Sequence, residues 1–416
     1  MSGRLIALRL PPDRLPAELR AVWEAGDAAA PLPMDAPEQR IRDLLDRCRP
    51  HELVAITPGG TEHERTPLDS PRPVPEDTAL VVTTSGSTGD AKGVLLSQRA
   101  IDAATTASVR RLGARPGERF ALALPLHHVA GVQVVLRAWA CGTEAHVVPD
   151  PGDPLQLAAA PAEHISLVPT QLRRLVDLHE RGDLDADALR RWRTILVGGA
   201  HLDTGLLDRA RAAGATIVTS YGMTETCGGC VYDGLPLDDV EVALRHDGRI
   251  RIRGPVLFSG YLDPGSLDPG SLDAGSLDAG TEEMADGWFT TGDLGEFRDG
   301  RLVVLGRHDD VAISGGENVP VQAVTTVLQE HPSVDEVAVV GVPDPEWGQR
   351  IVAVAVPSDP TSPPTLEELR AHVAERLPSS YAPRQLVVTS SLPRDGLGKP
   401  TADGLRRLAT EVSTDR

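Results

Sequence analysis

Short apolar runs alternate with amphipathic stretches from about residue 77 onward, and this alternation limits the possible folds more than any other feature of the sequence. The apolar runs, which are typical of buried strands, are residues 79–83, 120–124, 145–148, 194–197 and 216–219. Helical patterns such as residues 169–179 and 202–213 lie between them. Strand and helix in alternation predict an α/β fold, in which a doubly wound sheet binds its ligands beyond the carboxyl ends of its strands.

The pattern changes after residue 306, where strand-like runs lie at residues 334–342 and 350–356 and a helix-capping sequence follows them. Thr365 and Glu368 form a capping-box sequence, which predicts the start of a helix. The combination indicates a smaller α+β arrangement.

A chain of 416 residues is long enough for two or three domains. We predict a large N-terminal domain of doubly wound mixed sheets with helices, residues 1–306, and a small mobile C-terminal domain, residues 307–416. The short charged run at residues 307–310 suits a hinge better than a packed core, so the pivot is expected near Asp309.

Residues 262–280 read LDPGSLDPGSLDAGSLDAG, a five-residue repeat with almost no apolar content. Calcium-binding repeats have a nine-residue pattern with paired glycines, and pentapeptide solenoids need many more coils. The segment is therefore predicted to be a solvated low-complexity insertion.

A formal net charge of -19 opposes attraction to nucleic acid and to anionic membranes, although it leaves room for a local basic pocket. No stretch approaches the roughly 20 apolar residues of a membrane span. The first residues, MSGRLIALRLPPDR, have too short an apolar run for a secretion signal. These features predict a cytoplasmic protein without stable membrane insertion.

The sequence contains four cysteines, too few and too scattered for a disulfide framework in a chain of this length. Cys227 and Cys230 form a CxxC pair. A zinc site would need a second pair of ligands at suitable spacing, and a redox motif would lie at a strand-to-helix turn. We interpret the pair as small residues in a glycine-rich turn.

The strongest local signal is residues 83–93, TTSGSTGDAKG, directly after an apolar strand. Glycines let backbone N–H groups approach an anion, hydroxyls add donors, and Lys92 adds positive charge. It is not a Walker A loop, because GxxxxGK[ST] is missing. The predicted phosphate-binding residues are Thr84, Ser85, Gly86, Ser87, Thr88, Gly89 and Lys92.

This loop resembles the signature phosphate loop of acyl-adenylate-forming enzymes, the group that contains acyl-CoA synthetases, luciferases and peptide-synthetase adenylation domains. That family usually has proline before the lysine, where this chain has Ala91, so the loop is expected to be less rigid. The groups expected to contact phosphate are retained.

Further motifs follow in the family's order. Residues 220–226, SYGMTET, resemble the segment that stacks adenine, which implies nucleotide binding by Ser220, Tyr221 and Gly222. The resemblance implies that Thr224 contacts the α-phosphate and that Glu225 holds Mg²⁺, which prefers hard oxygen ligands. Gly199 and Ala200 resemble the upstream strand end that lines the acyl and adenine pockets.

Residues 290–295, TTGDLG, resemble the ribose-binding motif. The resemblance implies that the Asp293 carboxylate accepts hydrogen bonds from both ribose hydroxyls. Residues 306–310, GRHDD, resemble the junction in which Arg307 contacts the nucleotide and Asp309 is the pivot.

Residues 393–400, PRDGLGKP, resemble the loop of the catalytic lysine, which is Lys399 here. Its ammonium would stabilise the charge of the transition state between the attacking carboxylate and the α-phosphate. The resemblance implies two steps, first an acyl-adenylate from ATP and then displacement of AMP by a thiol. Between the steps the small domain would rotate and present Gly315 and Gly316 to coenzyme A.

Two segments, residues 124–133 and 221–234, are similar to those of short actinobacterial o-succinylbenzoate–CoA ligases. The resemblance implies ATP, Mg²⁺, coenzyme A and o-succinylbenzoate as ligands, with polar groups around the second carboxylate. His128 is the candidate for a pocket wall or gate. For His127, a purely structural role is the alternative. The pair does not fit a condensation-type HHxxxDG site, because the Asp and Gly are missing.

Other activities remain open at this point. The chain could activate a different acyl or aryl acid, or load a carrier protein instead of coenzyme A. A non-catalytic nucleotide-binding protein is the alternative outside catalysis, although it would have no need of Lys399. The sequence leaves a homodimer open.

Overall fold

A computed structural model describes residues 2–56, 63–84, 92–200, 202, 204–262, 284–308, 311–394 and 400–411. The chain divides into two compact units. The larger unit contains Met1–Leu202, Leu206–Val242 and Ile252–Phe289, and the smaller contains Asp203–Gly205, Ala243–Arg251 and Thr290–Arg416.

The first sheet of the larger unit has seven strands in the order β18-β8-β7-β3-β2-β4-β5. Its strands are β2 (Leu5–Arg9), β3 (Ala28–Pro31), β4 (Glu52–Ile56), β5 (His63–Pro67), β7 (Thr78–Thr84), β8 (Lys92–Ser97) and β18 (Gly260–Leu262). Strands β7, β3, β2 and β4 are parallel, whereas β5, β8 and β18 each pair antiparallel with their neighbours. A two-stranded ladder of β1 (Ser2–Gly3) and β6 (Val74–Pro75) accompanies it.

The second sheet has the order β10-β9-β11-β12-β13-β14-β15. Its strands are β9 (Phe120–Leu122), β10 (His146–Val147), β11 (His164–Leu167), β12 (Thr194–Val197), β13 (Ile217–Met223), β14 (Gly228–Tyr232) and β15 (Leu235–Pro236). The first five in this order are parallel, and β14 and β15 are antiparallel additions.

In the described part of the chain, the helices between these strands are α1 (Leu15–Glu24), α2 (Glu38–Cys48), α3 (Gln98–Leu112), α4 (Val129–Ala140), α5 (Pro154–Ala159), α6 (Pro169–Arg181) and α7 (Thr204–Ala212). Local sequence explains their limits. The Ser97 hydroxyl accepts a hydrogen bond from the Ala100 amide at the start of α3, and Gly113 ends that helix in the left-handed conformation. Pro169 lies in the first turn of α6, where its missing N–H costs nothing.

One core cluster shows why alternation in the sequence produced a layered fold. Ile165, Leu167, Ile195 and Val197 project from β11 and β12 onto one face and pack with Leu172 of α6. Successive side chains of a strand point to opposite faces, so every second residue joins this cluster. The predicted α/β fold with mixed sheets is confirmed, as are the five predicted strands and the two predicted helices.

A five-stranded sheet has the order β16-β17-β20-β19, with β21 paired to β20. Its strands are β16 (Glu241–Leu244), β17 (Arg249–Arg253), β19 (Met284–Ala285), β20 (Trp288–Arg298) and β21 (Arg301–Arg307). The limits of the two units fall within β16, β17 and β20. The domain boundary predicted after residue 306 lies at the end of β21 and stays a prediction.

The smaller unit contains a sheet in the order β23-β22-β25-β24, with β26 paired to β25. Its elements are β22 (Val311–Ser314), β23 (Glu317–Pro320), α8 (Val321–Gln329), β24 (Val334–Asp344), β25 (Gly348–Pro357), α9 (Leu366–Ala374), β26 (Gln385–Val388) and α10 (Ala402–Glu411). Ile351 and Ala353 of β25 pack towards α8 and α9, whereas Val352 and Val354 belong to a separate cluster with α10. The predicted strands near residues 334–342 and 350–356 are confirmed.

Thr365 caps α9 as the sequence predicted. Its hydroxyl accepts from the Glu368 amide at 3.2 Å, and the Glu368 carboxylate accepts from the Thr365 amide at 2.8 Å. We expect Thr365→Ala to lower the free energy of unfolding by about 1 kcal/mol, because the Glu368 amide loses its acceptor. Urea unfolding of the variant measures the effect. Thr365→Ser keeps the hydroxyl and is expected to behave as the wild type; an equal loss in both variants would contradict the role of the cap.

Within the described ranges, no helix is both long enough and apolar enough to cross a membrane.

Candidate active site

The carboxyl edge of the parallel sheet brings two of the predicted motifs together. Gly198 follows β12 directly, and a Cβ atom added to it would lie 2.9 Å from the Ser220 carbonyl oxygen in β13. Gly199 has φ +80°, a conformation that L-residues with side chains rarely adopt. Gly199 and Ala200 are exposed at this edge, where the strand pattern predicted a ligand.

Close contact between two backbone segments explains the glycine at position 222. A Cβ atom on Gly222 would lie 2.0 Å from the Gly228 carbonyl oxygen, so only glycine fits. The ladder between β13 and β14 shifts register between Tyr221 and Gly222. Tyr221 is half-buried at this irregularity. The strand is therefore irregular at the residues for which adenine binding is predicted.

Thr224 and Glu225 lie in a short 3₁₀ helix, Thr224–Thr226, directly after β13. The Thr226 hydroxyl stabilises this turn, because it donates to the Gly228 carbonyl at 2.7 Å and accepts from the Met223 amide at 3.0 Å. The Phe258 amide donates to the Glu225 carbonyl at 2.9 Å. Thr224 and Glu225 are both half-buried and thus accessible to a ligand.

Thr84 and Lys92 are direct partners in the antiparallel ladder of β7 and β8. The predicted phosphate loop is thus the connection between two adjacent strands. Lys92 begins β8 and is exposed, and its Nζ lies 4.8 Å from the ring centroid of Tyr261. The Tyr261 hydroxyl in turn donates to Glu225 Oε1 at 3.0 Å. Tyr261 was not among the predicted site residues, because nothing local distinguishes it from a tyrosine in any edge strand.

His128 precedes α4 and lies against His127, with 4.2 Å between the ring centroids. Burial, together with the neighbouring His128, lowers the pKa of His127 to about 4. His127 is therefore neutral at pH 7 in the folded protein.

This pKa predicts a loss of stability in mild acid. Between pH 6.5 and 4 the unfolded chain binds a proton at His127 that the folded chain does not bind, so the free energy of unfolding falls as the pH falls. After allowance for partial exposure, we expect the wild type to lose about 1–2 kcal/mol more than His127→Gln between pH 7 and pH 5. Urea unfolding at both pH values tests this, and parallel losses in the two proteins would contradict it.

Arg137 is a buried cation in the apolar helix α4, with 3% of its surface exposed. Its guanidinium donates to three hydroxyl groups, those of Ser108 at 3.2 Å, Ser166 at 3.2 Å and Tyr232 at 3.4 Å. Its Nε has no hydrogen-bond partner within the described chain. Burial lowers the pKa of Arg137, although a guanidinium stays ionised in proteins.

A buried charge normally has a counter-ion, and the described partners of Arg137 are all neutral hydroxyls. The arrangement therefore favours a negatively charged ligand at Arg137. Arg137 was not among the predicted site residues, although an arginine within the run VAGVQVVLRAWA was a visible signal.

In the smaller unit, Asp293 of β20 is the ladder partner of Arg307 in β21. Arg307 Nη1 lies 3.6 Å from Asp293 Oδ1, and the Asp293 amide donates to the Thr291 hydroxyl at 3.0 Å. A Cβ atom on Gly292 would lie 2.7 Å from Arg307 Nη2, so glycine lets the guanidinium lie across the strand. The two residues predicted to bind ribose and nucleotide are therefore neighbours.

Gly315 and Gly316 form the two-residue turn between β22 and β23, with φ values of +62° and +83°. Such tight hairpin turns require positive φ at both central positions, which explains the glycine pair. The Gly315 amide donates to the Trp347 carbonyl at 2.9 Å, and a Cβ atom on Gly315 would approach the Trp347 ring to 3.2 Å.

Some predicted site residues lie outside the described residues, namely Ser85, Gly86, Ser87, Thr88, Gly89, Asp309 and Lys399, together with residues 263–280 of the repeat.

Within the described ranges, no three His, Cys, Asp or Glu side chains form a group that could hold a metal. Glu225 nevertheless suits Mg²⁺, which is commonly bound by one or two carboxylates together with substrate phosphates. Cys227 and Cys230 are buried, and burial raises the pKa of the Cys230 thiol to about 12.

Comparison with known proteins decides the family. Residues 14–262 match the AMP-binding enzyme family, and residues 323–399 match the AMP-binding enzyme C-terminal domain. The chain belongs to the AMP-binding enzyme family. The resemblance to acyl-adenylate-forming enzymes is thereby confirmed.

Two relatives of this AMP-binding enzyme have related names. A protein of Mycobacterium tuberculosis named "Probable 2-succinylbenzoate--CoA ligase" is 39% identical over 380 residues, which cover 86% of this chain and 92% of the relative. The 2-succinylbenzoate–CoA ligase of Listeria monocytogenes is 31% identical over 340 residues, 77% of this chain and 68% of that protein.

Solved structures agree with the fold. The o-succinylbenzoate CoA synthetase (MenE) from Bacillus subtilis, in complex with the acyl-adenylate intermediate OSB-AMP, is 25% identical with a TM-score of 0.80, covering 97% of this chain and 88% of that chain. ATP-bound MatB from Rhodopseudomonas palustris is 22% identical with a TM-score of 0.82, covering 99% and 90%. The second likeness concerns the fold alone.

Proposed function

We propose that this AMP-binding enzyme is an o-succinylbenzoate–CoA ligase of menaquinone synthesis. The observation that carries the substrate assignment is the buried guanidinium of Arg137, whose described partners are hydroxyl groups. o-Succinylbenzoate has two carboxylates, of which one reacts and the other stays ionised. We propose that Arg137 binds the carboxylate that does not react, with Ser108, Ser166 and Tyr232 holding the guanidinium in place. The names of both relatives support the same substrate.

The reaction has two balanced steps. In the first, an oxygen of the succinyl carboxylate attacks the α-phosphorus of ATP, the bond to pyrophosphate breaks, and an acyl-adenylate forms. In the second, the thiol sulfur of coenzyme A attacks the acyl carbon, the bond to the AMP oxygen breaks, and the thiol proton passes to solvent. AMP and pyrophosphate are the by-products.

The roles of individual residues are part of the proposal. Residues 84–89 and Lys92 bind the phosphates, Ser220, Tyr221 and Gly222 hold adenine beside Gly199 and Ala200, and Thr224 contacts the α-phosphate. Asp293 and Arg307 bind the ribose and nucleotide, His128 forms a wall of the acyl pocket, and Lys399 stabilises the first transition state. Gly315 and Gly316 line the path of coenzyme A after rotation of residues 307–416 about Asp309.

Glu225 is the proposed ligand of Mg²⁺. Its carboxylate is half-buried, and carboxylate oxygens are hard donors of the kind Mg²⁺ prefers. When bound, Mg²⁺ would neutralise charge on the phosphates of ATP. We also propose a cytoplasmic location and a homodimer. Light scattering of the purified protein tests the homodimer.

An assay with purified protein, ATP, Mg²⁺, coenzyme A and o-succinylbenzoate tests the function. We expect equimolar AMP, pyrophosphate and thioester. AMP from a different acid only would overturn the substrate, and an adenylate that coenzyme A does not consume would favour a carrier-protein acceptor. Nucleotide binding without turnover of any acid would favour a non-catalytic binder.

A further inference from the structure

Tyr261 lies between two residues that the proposed function assigns to the nucleotide. Its ring faces the Lys92 ammonium, with 4.8 Å from Nζ to the ring centroid. Its hydroxyl donates to Glu225 Oε1 at 3.0 Å. One side chain therefore contacts both the cation proposed for the phosphates and the carboxylate proposed for the metal.

The position of Tyr261 is fixed from several sides. β18 pairs with β8, so that Tyr261 is the ladder partner of Val94, two residues beyond Lys92. Phe258 packs edge-on against the Tyr261 ring, with 4.9 Å between centroids, and its amide donates to the Glu225 carbonyl. β8, β18 and the 3₁₀ helix of Glu225 are thus joined by backbone hydrogen bonds around this ring.

The two contacts have different chemical effects. A hydroxyl that donates to one carboxylate oxygen restricts the rotation of the carboxylate and so fixes the direction of both oxygens. An aromatic face attracts an ammonium through the ring quadrupole, which restricts a long and otherwise mobile lysine side chain. Neither effect requires Tyr261 to contact substrate.

We propose that Tyr261 is a positioning residue of the nucleotide site, which orients the Glu225 carboxylate for Mg²⁺ through its hydroxyl and holds the Lys92 ammonium through its ring. This inference rests on the proposed roles of Glu225 and Lys92. It does not depend on which acid the enzyme activates.

Two substitutions separate the contacts. Tyr261→Phe removes the hydroxyl and keeps the ring, whereas Tyr261→Leu removes both. Tyr381→Phe, in the 3₁₀ helix Ser379–Tyr381 of the smaller unit, is the matched control for loss of a tyrosine hydroxyl. Binding of α,β-methylene-ATP is measured by calorimetry over a series of MgCl₂ concentrations, so that no acid is needed.

We expect Tyr261→Phe to raise the Mg²⁺ concentration for half-maximal nucleotide binding by about 10-fold, because loss of a hydrogen bond to a metal ligand commonly costs 10- to 100-fold in metal affinity. At saturating Mg²⁺ this variant is expected to bind as the wild type does. Tyr261→Leu is expected to bind about 2- to 5-fold more weakly even then, because Lys92 has lost its aromatic contact. Tyr381→Phe is expected to change neither value.

A double substitution distinguishes orientation from general stability. In a Glu225→Gln background, Tyr261→Phe is expected to add no further change in Mg²⁺ dependence, since the metal ligand is already lost. A purely structural tyrosine would lower the melting temperature and leave the Mg²⁺ dependence unchanged. Unchanged Mg²⁺ dependence of folded Tyr261→Phe, or an additive effect in the double variant, would overturn the orientation of Glu225.

The ring contact has its own readout. The sequence contains two lysines, Lys92 and Lys399, so acetylation by acetic anhydride can be followed at Lys92 by peptide mass spectrometry. We expect faster acetylation of Lys92 in Tyr261→Leu than in the wild type or Tyr261→Phe, and equal rates in all three would overturn the ring contact. Because neither readout uses o-succinylbenzoate, failure of the proposed substrate and failure of this inference are distinguishable.

Discussion

Lys399→Ala is expected to slow acyl-adenylate formation by roughly three orders of magnitude while ATP still binds. The ammonium is proposed to stabilise charge that develops only in the transition state, so its loss affects the rate of the first step and leaves ground-state binding almost unchanged. Pyrophosphate release with o-succinylbenzoate measures the rate, and calorimetry with α,β-methylene-ATP measures binding.

The second half-reaction provides an internal control. If the lysine acts only in the first step, the variant supplied with prepared acyl-adenylate and coenzyme A is expected to form thioester at the wild-type rate. Arg406→Ala, at an exposed position of α10, is the control for loss of a cation. Near-normal pyrophosphate release by Lys399→Ala would refute the mechanism.

Lys399→Arg is expected to be defective as well. Two of the 41 Lys and Arg residues in this sequence are lysines, and each lies in a motif proposed to meet phosphate oxygens. A compact ammonium can approach a single oxygen closely, whereas a planar guanidinium must approach the same oxygen in a different geometry. Elsewhere in this chain, arginine supplies every positively charged side chain other than histidine.

Arg137→Leu is expected to lower kcat/KM for o-succinylbenzoate by about 100- to 1,000-fold, because a buried carboxylate would lose its charged partner. The comparison substrate is 4-oxo-4-phenylbutanoate, which has the reacting carboxylate but no carboxylate on the ring. With that acid, the variant is expected to equal or exceed the wild type, since no charge is left unpaired.

Stability separates this role from a structural one. The described hydrogen-bond partners of Arg137 are neutral hydroxyl groups, so an apolar side chain of similar volume is expected to preserve the melting temperature. Equal losses of kcat/KM for both acids would refute the assignment of Arg137 to the ring carboxylate.

Local patterns in the sequence predicted much of the architecture. The run at residues 79–83 became β7 (Thr78–Thr84), and the capping box at Thr365 and Glu368 opened α9. These predictions succeeded because strand period, helix period and capping depend on residues only a few positions apart. The order of the motifs likewise predicted the family.

Other features were not readable from neighbours in the chain. Tyr261 meets Lys92 only because β18 adds to β8, and Arg137 meets Tyr232 only because α4 packs beside β14. The arginine in an apolar helix was visible in the sequence, but its hydroxyl partners lie 29 to 95 residues away.

The sequence by itself determined the alternation of strands and helices, the glycines of the tight turns and the residue types predicted to meet phosphate, because each follows from local geometry or from the chemistry of single side chains. Tertiary structure decided which of these residues touch. Whether a tyrosine orients a carboxylate, or an arginine is buried among hydroxyl groups, depends on the packing of segments far apart in the chain, whose contacts no local period encodes.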